Sequence, residues 1–278
     1  MLSYARGFMK SLPLFLLAGA LCSSQLEAKV WPRNEADAMG CSADHFHAND
    51  LVSYAEMREE RLPAAATNYI NPGQNGSIKV HGWNNSDVLV KACIQAAAPN
   101  ESEARGVASQ IAITRGAGSI EPSGPSTGER LYWGLSYEVW VPNGSSLKMD
   151  ANNGSIWVDN VRGQIRFHTL NGSVHLAEAG GDVDGSSTNG SVNVELSGST
   201  WNGNGLHVET TNGSVRLQLP ENFSAQVRAS TVNGRVHTDF PATVSGDSGK
   251  NVSFQIGSGG PTIEAKTVNG SVHIGRRS

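Results

Sequence analysis

Four short stretches of this 278-residue chain carry residue types that could do chemistry. Gly246–Lys250, "GDSGK", has the form of a serine-protease nucleophile loop, yet a triad is defined by its partners and their geometry, and no histidine-bearing partner motif accompanies it. Ser145–Lys148, "SSLK", matches the S-x-x-K of penicillin-binding enzymes without their Ser-Asp-Asn and Lys-Thr-Gly companions. Gly180–Ser187, "GGDVDGSS", spaces Asp182 and Asp184 as in a calcium loop but lacks the terminal glutamate, so it reads as a corner turn. Cys41–His47, "CSADHFH", offers His45 and His47 beside a cysteine, too few ligands for a closed tetrahedral shell. No metal, no cofactor and no catalytic residue is expected.

Those candidates must be placed by the elements around them, and a repeat dominates the elements. Asn-Gly recurs at Asn153–Gly154, Asn171–Gly172, Asn189–Gly190, Asn212–Gly213, Asn233–Gly234 and Asn269–Gly270, with spacings of 18, 18, 23, 21 and 36, the last being twice 18. Two positions before each asparagine stand Ala151, Thr169, Ser187, Thr210, Thr231 and Thr267; four before, Met149, Phe167, Gly185, Val208, Ala229 and Ala265. Three positions after it come Ile156, Val174, Val192, Val215, Val236 and Val272. Alternation of period two is the mark of strands with one buried face.

Asn-Gly between such strands is also the strongest short hairpin signal, since a type I′ turn needs positive φ at both residues. A meander, however, has no reason to keep similar Thr, Ser and Val columns at a near-constant advance. A stack of coils has one: each asparagine then lies over the next at about 4.8 Å and its amide bonds along the stack. The expected fold is all-β, a β-solenoid of NGS-V repeats over 132–278. An N-terminal α+β capping region over 29–131 precedes it, with one helix in "NESEARGVASQ", Asn100 to Gln110, N-capped by Asn100. The longer spacings become outward bulges, as in "SGSTWNGNG", Ser197 to Gly205. Arg276 and Arg277 would place guarding charge beside a terminal strand. A positive φ at Gly190 would make Gly190→Ala cost on the order of 1 kcal/mol or more.

Residues 1–28 read as a secretory signal: Arg6 and Lys10 precede the short apolar "LPLFLLAGAL", with cleavage after Ala28 or Ala20. No later stretch is apolar enough to anchor in a membrane. Export to the periplasm, the outer surface or the medium makes Cys41 and Cys93, left after Cys22 is removed, an expected disulfide. The net charge of −4 becomes −5 once Arg6, Lys10 and Glu27 are lost, which argues against nucleic acid.

Function should lie on the outside of the coils. Four positions after each asparagine stand Trp157, His175, Asn193, Arg216, His237 and His273, a column that alternation turns away from the core. Stacked, these would form a polar and aromatic ridge able to bind a glycan or an envelope protein. A polysaccharide-degrading β-helix is the alternative, and would need converging acids. Asp150, Asp159, Asp184, Glu195, Glu209, Asp239 and Glu264 instead fall at different offsets from their asparagines. A structural or regulatory envelope component is a third class that these residues do not separate from the first.

The early "NGSIKVHGW" around Asn75, the helix after a Cys-bearing strand, the strand ending "VWVP" and the run of "NGSI" and "NGSV" phrases together resemble the bacterial "putative adhesin" family, domain of unknown function 4097, over about Tyr69 to Ile274. The resemblance implies a cell-envelope protein with a β-solenoid-like domain and no established enzymatic activity. Asn233 departs from the phrase with Arg235 in place of serine.

Overall fold

The structure, a computed structural model, describes residues 29–30, 40–116, 118–240 and 249–277. The segment 1–28, expected to be a secretory signal, and Gly246, Asp247 and Ser248 of "GDSGK" lie outside the described residues.

Alternating sequence produces β-strands nearly throughout. The first part of the chain gives β1 (Lys29–Val30), β2 (Val52–Pro63), β3 (Thr67–Ile70), β4 (Ile78–Trp83), β5 (Asp87–Ala98), β6 (Ala112–Gly116), β7 (Ser119–Ser123) and β8 (Tyr132–Pro142). The repeats follow as β9 (Ser146–Asn153), β10 (Ile156–Asp159), β11 (Gln164–Asn171), β12 (Val174–Ala177), β13 (Asp182–Asn189), β14 (Val192–Glu195), β15 (Gly205–Asn212) and β16 (Val215–Leu219). The chain closes with β17 (Ala225–Asn233), β18 (Val236–Thr238), β19 (Asn251–Ile256), β20 (Thr262–Asn269) and β21 (Val272–Arg276). Helix α1 (Glu101–Gln110) starts where the Asn100 side chain accepts from the Glu103 N–H at 2.9 Å, and buries Ala104, Val107 and Ala108 against β5 and β2.

Two sheets enclose one core. The first, of eleven strands, runs β1-β2-β5-β8-β4-β10-β12-β14-β16-β21-β18; the second, of ten, runs β19-β17-β20-β15-β13-β11-β9-β3-β7-β6. Each repeat contributes one strand to each sheet, joined by the Asn-Gly-Ser corner, and equivalent strands pair parallel. The architecture is all-β and solenoid-like. Inward columns such as Ile165, Phe167, Val174 and Leu176 are buried between the sheets. Each fully buried side chain of that kind contributes about 1.5–3 kcal/mol.

Side chains stitch the corners together. Asn153 donates to Asn75 Oδ1 at 3.1 Å, Asn171 to Asn153 at 2.8 Å, Asn189 to Asn171 at 2.9 Å and Asn212 to Asn189 at 2.8 Å. Inside the corner, the buried hydroxyls of Thr169, Ser187, Thr210, Thr267 and Thr231 each donate to a glycine carbonyl of the adjoining coil. A serine Oγ on one coil accepts the backbone N–H of the next, as Ser155 does from Ser173 at 3.3 Å. Arg235 belongs to the last of these coils, where no further parallel coil calls on a serine, which accounts for its departure from the phrase.

Several expectations are corrected by the structure. The coils do not stack in chain order: Asn269 donates to Asn212, and Asn233 to Asn269, both at 2.8 Å, so β20 and β21 sit between the two preceding repeats. Arg276, the last residue of β21, and Arg277 therefore stand at the end of an interior strand, and bind Glu221 Oε1 at 2.9 Å and the Leu196 carbonyl at 3.2 Å. Gly190 has no positive φ. It is glycine because a Cβ there would stand 2.1 Å from the Gly172 carbonyl oxygen, and Gly154, Gly172, Gly213, Gly234 and Gly270 meet their neighbours at 1.8 to 2.2 Å in the same way. The "SGSTWNGNG" loop bulges outward as expected, with residues 197–200 and 202–204 exposed, but turns Trp201 inward, 4% exposed, where its indole N–H donates to the Gly181 carbonyl.

The stack also starts upstream of Leu131. β3 and β4, on either side of Asn75, pair parallel with β9 and β10. Cys41 and Cys93 form a disulfide that ties the segment before β2 to β5.

Candidate functional site

The parallel register of the eleven-stranded sheet brings the outward residues into one row. Trp157 stands opposite His175, His175 opposite Asn193, Asn193 opposite Arg216, Arg216 opposite His273, and His273 opposite His237. His273 precedes His237 because of the inserted coil. Trp157 is 50% exposed, and its ring lies 6.1 Å from that of His175, tilted by 54°.

The row continues past Trp157 into residues that the repeat columns had not included. Lys79 on β4 is opposite Trp157, and Glu138 on β8 is opposite Lys79. Alignment on Asn75 would have found Lys79, which stands four positions after that asparagine as Trp157 does after Asn153. Glu138 carries no such signal, because β8 lacks the Asn-Gly phrase.

A charged network is built where these strands meet. His81 approaches Asp159 Oδ2 through Nδ1 at 2.6 Å and Glu138 Oε1 through Nε2 at 3.0 Å, and Lys79 Nζ lies 3.3 Å from Glu138. Trp140 stacks on the imidazole at 5.1 Å. The Glu138 hydrogen bond, aided by Asp159 and opposed by burial, raises the His81 pKa above its ordinary value. In return the His81 hydrogen bond, with help from Lys79 and against burial, lowers that of Glu138. Both imidazole nitrogens face carboxylates, an arrangement suited to the doubly protonated ring.

Beside this network lies a shallow groove of about 420 Å³ lined by Ser77, Ser136, Ser155, Lys79, Glu138 and Trp157. Further along the row, His175 lies 3.7 Å from Glu195 and His273 3.7 Å from Asp239.

The acids weighed for catalysis are divided between the two outer faces. Asp159 and Glu195 belong to the first sheet, with Asp239 just beyond β18, whereas Asp150, Asp184, Glu209 and Glu264 belong to the second. Several are matched by bases: Glu264 accepts from His207 at 3.0 Å and lies 2.8 Å from Lys266. Asp182 and Asp184 lie on β13, the turn being Gly180–Gly181, and Arg166 stands 3.0 Å from Asp182 and 3.8 Å from Asp184. That guanidinium holds the Asp182 carboxyl below its usual range and occupies the side a cation would need. Ser145 is buried while Lys148 is exposed, so "SSLK" cannot bring hydroxyl and amine together. Among the described residues no group of three His, Cys, Asp or Glu could hold a metal ion, and no helix is long and apolar enough to cross a membrane.

Comparison with known proteins places this geometry. The model of the Toastrack DUF4097 family matches residues 69–275. Similar solved structures include a "putative cell adhesion protein" from Clostridium sporogenes ATCC 15579, at 13% identity and a TM-score of 0.44, covering 81% of this chain and 100% of that one. A "putative adhesin" from Bacteroides fragilis NCTC 9343 aligns at 10% identity and a TM-score of 0.34, covering 81% and 97%. A "putative lipid binding protein" from Parabacteroides distasonis ATCC 8503 aligns at 11% and 0.33, covering 83% and 98%. No curated protein matches the chain.

Proposed function

The chain belongs to the Toastrack DUF4097 family, and from that premise we propose that it is an exported, non-catalytic binding or scaffold module of the cell envelope whose contact surface is the ridge of the eleven-stranded sheet. The observation that carries this reading is the in-register row from Lys79 through Trp157, His175, Asn193 and Arg216 to His273 and His237. Backbone hydrogen bonds tie each of these strands into the sheet and hold that row rigid, so it can present a series of polar and aromatic groups without the ordering cost of a loop. In this reading β2, β5, β8 and α1 cap one end of the stack, limiting edge pairing with other chains. The acids weighed for catalysis are divided between two faces and several are matched by histidine, arginine or lysine, which speaks against a pair set for acid-base hydrolysis. The partner is an envelope glycan or an envelope protein.

Retention of envelope components on the immobilised mature protein tests the proposal. The wild-type chain should retain a component that Trp157→Ala/His175→Ala, with unchanged circular dichroism and melting, does not. Equal retention by the two would remove the ridge from the account. Mass spectrometry of the secreted chain tests export, which predicts a first residue at Leu21 or Lys29.

A further inference from the structure

We propose that the groove beside Trp157 is a subsite for an uncharged pyranose unit of a glycan, with the sugar ring stacked on the indole. The inference rests on the ridge reading above and names the ligand class of its end nearest β8.

Three features of the groove converge on a sugar. Its aromatic wall is an indole left half in water at an outward strand position, where the other coils carry lysine, histidine, asparagine or arginine. A flat π face packs against the axial C–H face of a pyranose, and an amphipathic ring of that kind suits a partly wet site. Its lining carries hydroxyls whose oxygens already accept from the backbone: Ser136 accepts the Ser77 N–H at 3.1 Å, Ser77 accepts the Ser155 N–H at 3.2 Å, and Ser155 accepts the Ser173 N–H at 3.3 Å. With its oxygen engaged by the backbone, each serine keeps its O–H proton to donate to a sugar oxygen.

The third feature is charge. Lys79 and Glu138 face the groove as a pair at 3.3 Å, and Glu138 is also bound to His81. A carboxylate and an ammonium together can accept from and donate to neighbouring ring hydroxyls without requiring a counter-charge from the ligand. An acidic sugar would have to compete with Glu138 for Lys79 and would meet the Glu138 carboxylate itself. The groove volume of about 420 Å³ lies toward the small end of the ligand-pocket range of about 300–1,000 Å³. Successive groups along the ridge stand about 4.8 Å apart, so His175, Asn193 and Arg216 can meet later units of a chain lying along the stack.

The Trp157 indole N–H resonance, identified with Trp157→Phe, gives the test in the mature full chain. Cellotriose, chitotriose and maltotriose serve as uncharged probes and trigalacturonate as the charged one. At least one uncharged trisaccharide should shift that resonance saturably below about 10 mM, and Glu138→Gln, folded by circular dichroism, should weaken it by about fivefold. No shift with any uncharged probe, or a shift with trigalacturonate alone, would overturn the subsite. Either result leaves the envelope-retention experiment to decide the ridge separately, since a protein or an acidic polymer could still be retained.

Discussion

Gly185 and Phe167 stand side by side on β13 and β11, and the Phe167 ring fills the space that a Cβ on Gly185 would need, 2.5 Å from its Cγ. The inward column four residues before each asparagine is thus packed by complement: a large ring on one coil, nothing on the next. Gly185→Ala should destabilise by about 1–3 kcal/mol through overpacking. Combined with Phe167→Leu, it should cost less than the two changes summed, with a coupling above about 0.5 kcal/mol in chemical denaturation.

Gly190→Ala should cost more than a turn effect alone. The added methyl would meet the Gly172 carbonyl at 2.1 Å, and the obstacle is backbone held by the ladder. A loss of about 3 kcal/mol is expected. Gly106→Ala, in α1 with no atom within 4 Å of the new Cβ, should instead stabilise by about 0.5–1 kcal/mol. Equal effects at the two sites would contradict the close stacking of coils.

Thr210→Val tests the buried hydroxyl ladder. The Thr210 hydroxyl donates to the Gly190 carbonyl at 2.6 Å, and the valine keeps the shape while leaving that carbonyl unmatched. A loss of about 1–3 kcal/mol in the free energy of unfolding is expected.

Stability should depend on pH through His81. Its pKa is raised in the folded chain, so its contribution is complete below about pH 6.5, the unfolded value, and is lost as pH rises through the raised folded value. Glu138 acts in the opposite sense: its lowered pKa gives stability above about pH 4.3 that is lost as pH falls through the folded value. His81→Gln should flatten the fall in melting temperature on the alkaline side of neutrality. An unchanged slope would show that the network carries no net linkage.

Reduction of Cys41–Cys93, which closes a loop across 52 positions, should lower stability by about 4 kcal/mol in the chain-entropy view. Denaturation with and without reductant, and with Cys93→Ala as a control, measures it.

Much of this architecture was legible in the linear chain because the signals are local. Period-two alternation names the inward columns, Asn100 and the acids after it start α1, and Cys41 and Cys93, the two cysteines left once the expected signal is set aside, pair with each other. The ridge column was legible for the same reason, since parallel coils in register turn a constant offset into a straight row. Glycine at the corners was legible too, but not its reason. The pull toward positive φ came from hairpin chemistry, whereas the structure requires glycine because two backbones approach too closely for a Cβ.

What the sequence by itself determined is the coil: its two strands, its corner, its inward columns and its outward row. The tertiary structure alone decided the order of the coils and the neighbours of the row. Near-identical phrases make any two coils acceptable partners, so nothing local distinguishes Asn212 beside Asn233 from Asn212 beside Asn269. The choice falls to long-range connections, with β19 antiparallel on one side of β17 and β20 parallel on the other. The site at Trp157 is of the same kind. Lys79, Glu138 and His81 come from strands upstream of β10, and only the pairing of β8 with β4 and of β4 with β10 brings their charges together.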